Sequence, residues 1–199
     1  MIRFVAAIVL IVFGAATVFA DEKSAQSIAA HKIQLLGGWV TCNEALPNNP
    51  VTSVSVQNCT RFNDKYLHIL ASLPDMTSLT LSHPEITDAG MKEVGKLKKL
   101  ACLDLSNSQI TDDGVKELKG LTNLTELLLN NTSVTGSTLG ELKQLKKLRT
   151  LYLVNAPISE DGLRAIGTLE QGMNRSVRLP ANRLAASFWR CFPKMLSGS

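Results

Sequence analysis

The chain has 199 residues, a formal net charge of +4, 45% apolar residues, 5% aromatics and four cysteines. These values place it among globular proteins of one or at most two domains, and they exclude a disordered chain, a collagen and a disulfide-dense miniprotein. The averages hide three unlike segments: an apolar start, a leucine-rich middle, and an end in which Arg175, Arg178, Arg183, Arg190 and Lys194 follow Glu170 with no further acid. The mild basicity belongs to that tail, so nucleic-acid binding is not expected.

Arg3 precedes an uncharged stretch, Phe4–Ala20, that ends Val18-Phe19-Ala20 before Asp21-Glu22. A positive start, an apolar stretch and small residues at the −3 and −1 positions form the pattern of a secretory signal peptide. Cleavage after Ala20 and export to a periplasmic or extracellular site are expected. The alternative is a retained membrane anchor, because this uncharged stretch of 17 residues reaches the short limit for spanning a bilayer. Export permits disulfides among Cys42, Cys59, Cys102 and Cys191. Three full pairings are possible and the sequence chooses none, although free thiols are expected at Cys42 and Cys59. No CxxC occurs and His31, His68 and His83 are scattered, so neither a metal site nor a cofactor is expected.

The middle of the chain is periodic. Leu79, Leu103, Leu127 and Leu151 are 24 residues apart, and the same interval links six further apolar columns, among them Leu81 to Leu153, Ile86 to Ile158 and Leu97 to Leu169. An earlier turn, from Val51 through Phe62 to Leu73, fits with one extra residue. Each turn reads L-x-x-L-x-L, and leucines two apart place their side chains on one face of a short strand. Thr87-Asp88, Thr111-Asp112 and Ser159-Glu160 then supply caps for a short helix, whose apolar residues recur at spacings of three. One such turn buries too little to stand alone, so stability must come from stacking. The expected fold is α/β: a solenoid of about five 24-residue strand-helix turns with one parallel sheet. The expected organisation is a leader at 1–20, a lead-in or cap at 21–50, repeats at 51–169 and a basic tail or cap at 170–199.

The runs Ile86-Thr-Asp-Ala-Gly-Met, Ile110-Thr-Asp-Asp-Gly-Val and Ile158-Ser-Glu-Asp-Gly-Leu resemble leucine-rich repeats. Their I-T-D-x-G-L form is similar to the cysteine-containing, ribonuclease-inhibitor-like subclass. Ile33-Gln-Leu-Leu-Gly-Gly-Trp-Val resembles the lead-in of exported planctomycete proteins of this kind. The resemblance implies a binding module and leaves its partner open. There are departures from the pattern. The family's Asn or Cys position three after the last strand leucine holds Cys59, Pro84, Ser108, Thr132 and Ala156, with Ser108 and Thr132 as partial substitutes. Thr138 stands where the other turns have glycine. After Leu169 the expected leucine positions hold Gly172, Arg175 and Val177, so the repeat is expected to end there. Leu184, Phe188 and Phe192 have the spacing of a capping helix beginning near Pro180, the alternatives being a tail unrelated to the repeat and a basic amphipathic membrane-binding helix.

No catalytic constellation stands out, and a non-enzymatic role is expected. Asp112-Asp113 and Glu160-Asp161 open helices, where negative charge is favoured, and the lysines at 96–99 and 143–147 close them. The candidate partner-binding face is the strand face pointing away from the core: Cys102, Asp104, Glu126, Leu128, Asn130, Thr150, Tyr152 and Val154, bordered by Asn107, Asn131 and Asn155. Leu128, Tyr152 and Val154 form an apolar spot, and tyrosine is a frequent interface anchor. The expected function is an exported module binding another protein or a cell-envelope component, with membrane contact only if the leader is retained. The alternatives are an adaptor resembling F-box leucine-rich repeat proteins, which recognise substrates for ubiquitin ligases, and a thiol-dependent enzyme acting through Cys102.

Overall fold

The computed structural model describes residues 17–57, 59, 61–170 and 176–178. Its strands are β1 (Trp39–Cys42), β2 (Val51–Ser55), β3 (Ser78–Thr80), β4 (Cys102–Asp104), β5 (Glu126–Leu128), β6 (Thr150–Tyr152) and β7 (Ser176–Arg178). Among the described residues they form one sheet in chain order. From β2 to β7 every neighbouring pair is parallel, whereas β1 lies antiparallel to β2.

The periodicity accounts for this topology. Each central strand leucine pairs with its equivalent one turn on, in the register Leu79↔Leu103, Leu103↔Leu127 and Leu127↔Leu151. All seven apolar columns are buried, none of their residues being more than 8% exposed. Parallel pairing follows because every turn returns the chain to its starting edge before the next strand begins.

Two features extend the sheet beyond the five expected strands. At one end β1 adds an antiparallel edge. At the other, β7 continues the solenoid past Leu169, with Leu151 opposite Val177. That pairing is 26 residues apart, so the strand position persists after a two-residue slip although the strict leucine interval has ended. The proposed capping helix near Pro180 lies outside the described residues, as does most of the leader.

The connecting segments are shorter and tighter than a run of α-helices. Only α2 (Met91–Val94), α3 (Asp112–Glu117) and α4 (Glu160–Glu170) are α-helical within the repeats, while Asp64–Ser72 and Leu139–Gln144 are 3₁₀. A 24-residue turn that also holds a strand and two loops leaves room for only short helical pieces, from four residues in α2 to 11 in α4, and short pieces tolerate the tighter 3₁₀ winding. The caps follow the expected step: Thr87 Oγ1 accepts from the Ala89 amide at 3.3 Å, Thr111 Oγ1 from Asp113 at 3.2 Å, and Ser159 Oγ from Gly162 at 3.1 Å.

The N-terminal layer is closed by α1 (Thr17–Leu35), whose Ala29 and Ile33 are buried in the core. This helix runs across the Ala20–Asp21 boundary. Gly37, at φ +92°, turns the chain from α1 into β1, and an added Cβ at Gly38 would stand 2.6 Å from the Ile33 side chain. Among the described residues no helix is long and apolar enough to cross a membrane.

Candidate partner-binding face

The strand register builds the face directly. Ser53, Ser78, Cys102, Glu126 and Thr150 stand side by side in one column, and Ser55, Thr80, Asp104, Leu128 and Tyr152 in the next. In each of β3 to β6 the middle residue is buried while its two neighbours are partly exposed. Alternation along a strand sends the leucine inward and its flanking residues outward. The expected columns are therefore present, and Leu128, Tyr152 and the 39% exposed Val154 lie together at one end.

The asparagines bordering this face have a structural role that the sequence reading did not assign. Asn107, Asn131 and Asn155 adopt left-handed backbone conformations, with φ of 58°, 54° and 59°. Apart from glycine, asparagine is the residue that takes this conformation most readily. Their carboxamides form a ladder across the turns. Asn107 Nδ2 donates to Ser82 Oγ at 3.0 Å, Asn131 Nδ2 to Asn107 Oδ1 at 2.8 Å, and Asn155 Nδ2 to Asn131 Oδ1 at 2.8 Å. Asn130 is also engaged, since its Oδ1 accepts from the Val154 amide at 2.8 Å. These side chains frame the face and hold adjacent turns together.

Cys102 is half-buried beside Glu126, with Sγ 3.8 Å from Oε2. Burial raises the thiol pKa and the neighbouring carboxylate raises it further, so the reactive thiolate is disfavoured. Cys42 is exposed and Cys59 buried, both as free thiols. Among the described residues no group of three or more His, Cys, Asp or Glu side chains could hold a metal ion.

Trp39 belongs to this surface and was missed. In β1 it pairs with Ser55, while Thr41 pairs with Ser53. Opposed residues of an antiparallel pair share a face, so Trp39 continues the second column at the N-terminal edge, 78% exposed. The alternation Trp-Val-Thr-Cys hinted at a strand, but its direction was not legible.

The substitutes at the family's Asn or Cys position act as expected. Ser108 Oγ donates to the Leu105 carbonyl and Thr132 Oγ1 to the Leu129 carbonyl, the latter at 2.8 Å.

A short-period solenoid with a parallel sheet on one side defines a class, and comparison with known proteins agrees. A leucine-rich repeat family model matches residues 96–119. Among solved structures, the leucine-rich repeat ectodomain of the receptor kinase SOBIR1 from Arabidopsis thaliana is 16% identical, over 80% of this chain and 94% of that one, with a TM-score of 0.51. Internalin C2 from Listeria monocytogenes is 26% identical, over 62% of this chain and 63% of that one, with a TM-score of 0.45. A leucine-rich repeat protein, LIC12759, from Leptospira interrogans is 26% identical, over 56% of this chain and 33% of that one, with a TM-score of 0.41. The chain thus spans less than two thirds of internalin C2 and a third of the Leptospira protein. No curated protein matches. The chain folds as a leucine-rich repeat solenoid, a fold consistent with a protein-binding module.

Proposed function

We propose that the protein is an exported, non-enzymatic binding module that holds another protein or a cell-envelope component against its exposed strand face. The observation supporting this reading is the cluster of Leu128, Tyr152 and Val154 on a face whose only other large apolar side chain among the described strand residues is Trp39 at the N-terminal edge. Aromatic and aliphatic side chains presented on a rigid sheet bind with little loss of conformational entropy. The leader pattern supports export, whether it is removed after Ala20 or holds the chain on the membrane.

The test is affinity capture from envelope extract with the full chain and with a Leu128→Ala/Tyr152→Ala/Val154→Ala variant. A partner retained by the wild type and lost by a variant of unchanged melting temperature is expected. Equal retention by both proteins would remove the face from the binding reading. Absence of any partner, together with turnover in a hydrolase or thiol-probe screen, would replace a binding module with an enzyme.

A further inference from the structure

The two long edges of the solenoid are enriched in opposite charges, although Lys116 and Arg164 pair with Asp113 and Asp161 on one, and Asp75 and Glu141 pair with Lys99 and Lys119 on the other. The edge where strands end and helices begin bears Asp64, Asp88, Asp112, Asp113, Glu160 and Asp161. The edge where helices end and strands begin bears Lys99, Lys119, Lys143, Lys146, Lys147 and Arg149, all exposed. Read along the sequence, the lysines look like ordinary helix-terminal cations. Stacking makes them one surface. Lys99 Nζ bonds Asp75 Oδ1 at 2.6 Å, Asn123 Nδ2 bonds the Lys98 carbonyl at 2.8 Å, and Lys147 Nζ bonds Asn123 Oδ1 at 2.7 Å. These bonds run as a row from turn to turn. Lys143, Lys146 and Arg149 pair with no acid among the described residues. The sequence from Lys143 to Arg149 thus concentrates four cations and no anion where the row ends.

The direction of α1 gives this edge a neighbour. Gln26 Nε2 donates to the Asn49 carbonyl at 3.3 Å, and Asn49 lies in the loop between β1 and β2. That loop borders a cleft shared with Asp75 and Lys99, so it stands on the basic edge. At its other end α1 leads through Gly37, which lies against Cys59 beyond the end of β2. The helix axis therefore runs across the sheet, with its N-terminus toward the lysines. Ala20, the last residue of the apolar leader, lies six residues before Gln26, which is about 9 Å further along the axis at ~1.5 Å per residue. The N-terminal end of α1 and the cations lie on the same side of the molecule.

We infer that the basic edge is a membrane-facing surface that takes the phosphate headgroups of anionic phospholipids, with the leader retained in the bilayer beside it. Long lysine side chains on a broad edge suit an extended charged plane, and basic side chains next to an anchor add binding that a single apolar segment lacks. The acidic edge then points away from the bilayer, and the sheet stands across it with its strand face accessible from the side. The inference goes beyond the binding reading and uses different residues.

The test is flotation of the full chain with phosphatidylcholine vesicles, with and without phosphatidylglycerol. The apolar part of the leader contributes equally to both, and Arg3 and the basic residues after Glu170 are common to every variant, so the difference between substituted variants reports the edge. Wild type should prefer acidic vesicles at least tenfold at low salt, and added salt should erase the preference. Lys143→Gln/Lys146→Gln/Lys147→Gln should lower affinity for acidic vesicles by roughly 100-fold, at about fivefold per charge removed, and leave affinity for neutral vesicles unchanged. Lys65→Gln/Lys92→Gln/Lys116→Gln, which removes equal charge elsewhere, should retain the preference. Indifference to acidic lipid, or equal losses in the two triples, would overturn the inference. So would charge-dependent binding to heparin without any vesicle preference, which would make a soluble polyanion the ligand. N-terminal sequencing of exported protein should read Met1, and a start at Asp21 would overturn the anchored arrangement. Leu128 and Tyr152 play no part in the flotation, so failure here and failure of partner capture remain separable.

Discussion

The Thr135 hydroxyl donates to the Asp112 carboxylate at 2.6 Å across the boundary between two turns, and the Thr135 amide donates to it at 2.9 Å. The same pair of bonds joins Thr111 to Asp88 and Thr87 to Asp64. Thr87 and Thr111 each cap their own helix and also donate to the aspartate of the previous turn, whereas Thr135 donates to the previous turn without capping a helix. Asp112 does more than its equivalents, since the Gly136 amide also donates to it at 3.0 Å. The ladder ends there because the next aspartate position is Gly136. In its place Ser159 Oγ donates to the Thr135 carbonyl at 3.2 Å.

Asp112→Ala should therefore destabilise the fold by roughly 2 kcal/mol, the scale for stranding several partly buried donors. Asp113→Ala, next to it and exposed, should change stability by no more than about 0.5 kcal/mol. Chemical denaturation of the two variants checks the contrast, and equal losses would show that the ladder contributes nothing beyond helix-end charge.

The pH dependence has a defined sign. Burial alone would raise the Asp112 pKa, but hydrogen bonds from Thr135, Thr138 and Gly136 outweigh it and hold the carboxyl below its ordinary value of 3.8. A depressed folded-state pKa contributes stability above the unfolded value and loses it as pH falls through the folded one. Wild type should lose this contribution from about pH 4 downward. Asp112→Asn should show a shallower acid limb in melting temperature against pH, and parallel limbs would remove Asp112 as its source.

The glycine column sets up a paired test. A Cβ at Gly114 would stand 2.3 Å from Asp88 Oδ1, inside the ladder, whereas one at Gly140 would meet nothing within 4 Å. Gly114→Ala should cost about 1–3 kcal/mol by overpacking. Gly140→Ala should be neutral or stabilising by up to about 1 kcal/mol, because it restricts the unfolded chain. Thr138, at the same column position, escapes the clash because Gly136 takes φ +90° and reroutes the loop, which leaves Thr138 Oγ1 3.0 Å from the Asp112 carbonyl. Thermal melts of the two variants decide the matter.

Thiol reactivity should follow burial and charge. Exposed Cys42 should alkylate first, and Cys59 and Cys102, both raised by burial, more slowly. Glu126→Gln removes the charge that opposes ionisation, so the Cys102 rate should rise at fixed pH. Peptide mapping after timed iodoacetamide treatment measures this, and an unchanged Cys102 rate would show that burial alone sets its reactivity.

The 24-residue interval by itself determines most of the fold. It named the seven buried columns, the short strands, their parallel register and the two exposed columns that include Cys102, Glu126, Leu128 and Tyr152. Such a pattern is legible because burial acts on each residue's own apolar surface and repeats with the turn. The tertiary structure decided what the polar residues do. Asn107, Asn131 and Asn155 read as loop positions beside a face, yet they bond one another across turns. Asp112 read as a helix opener, yet its carboxylate belongs to the next turn. Trp39 reached the face only because β1 runs antiparallel. The lysines became one edge, beside the leader, only through stacking and the direction of α1. In each case the partner lies some 16 to 26 residues away or more in the chain. Hydrogen bonds and charge pairs depend on the distance and angle that stacking sets, and sequence spacing alone does not supply them.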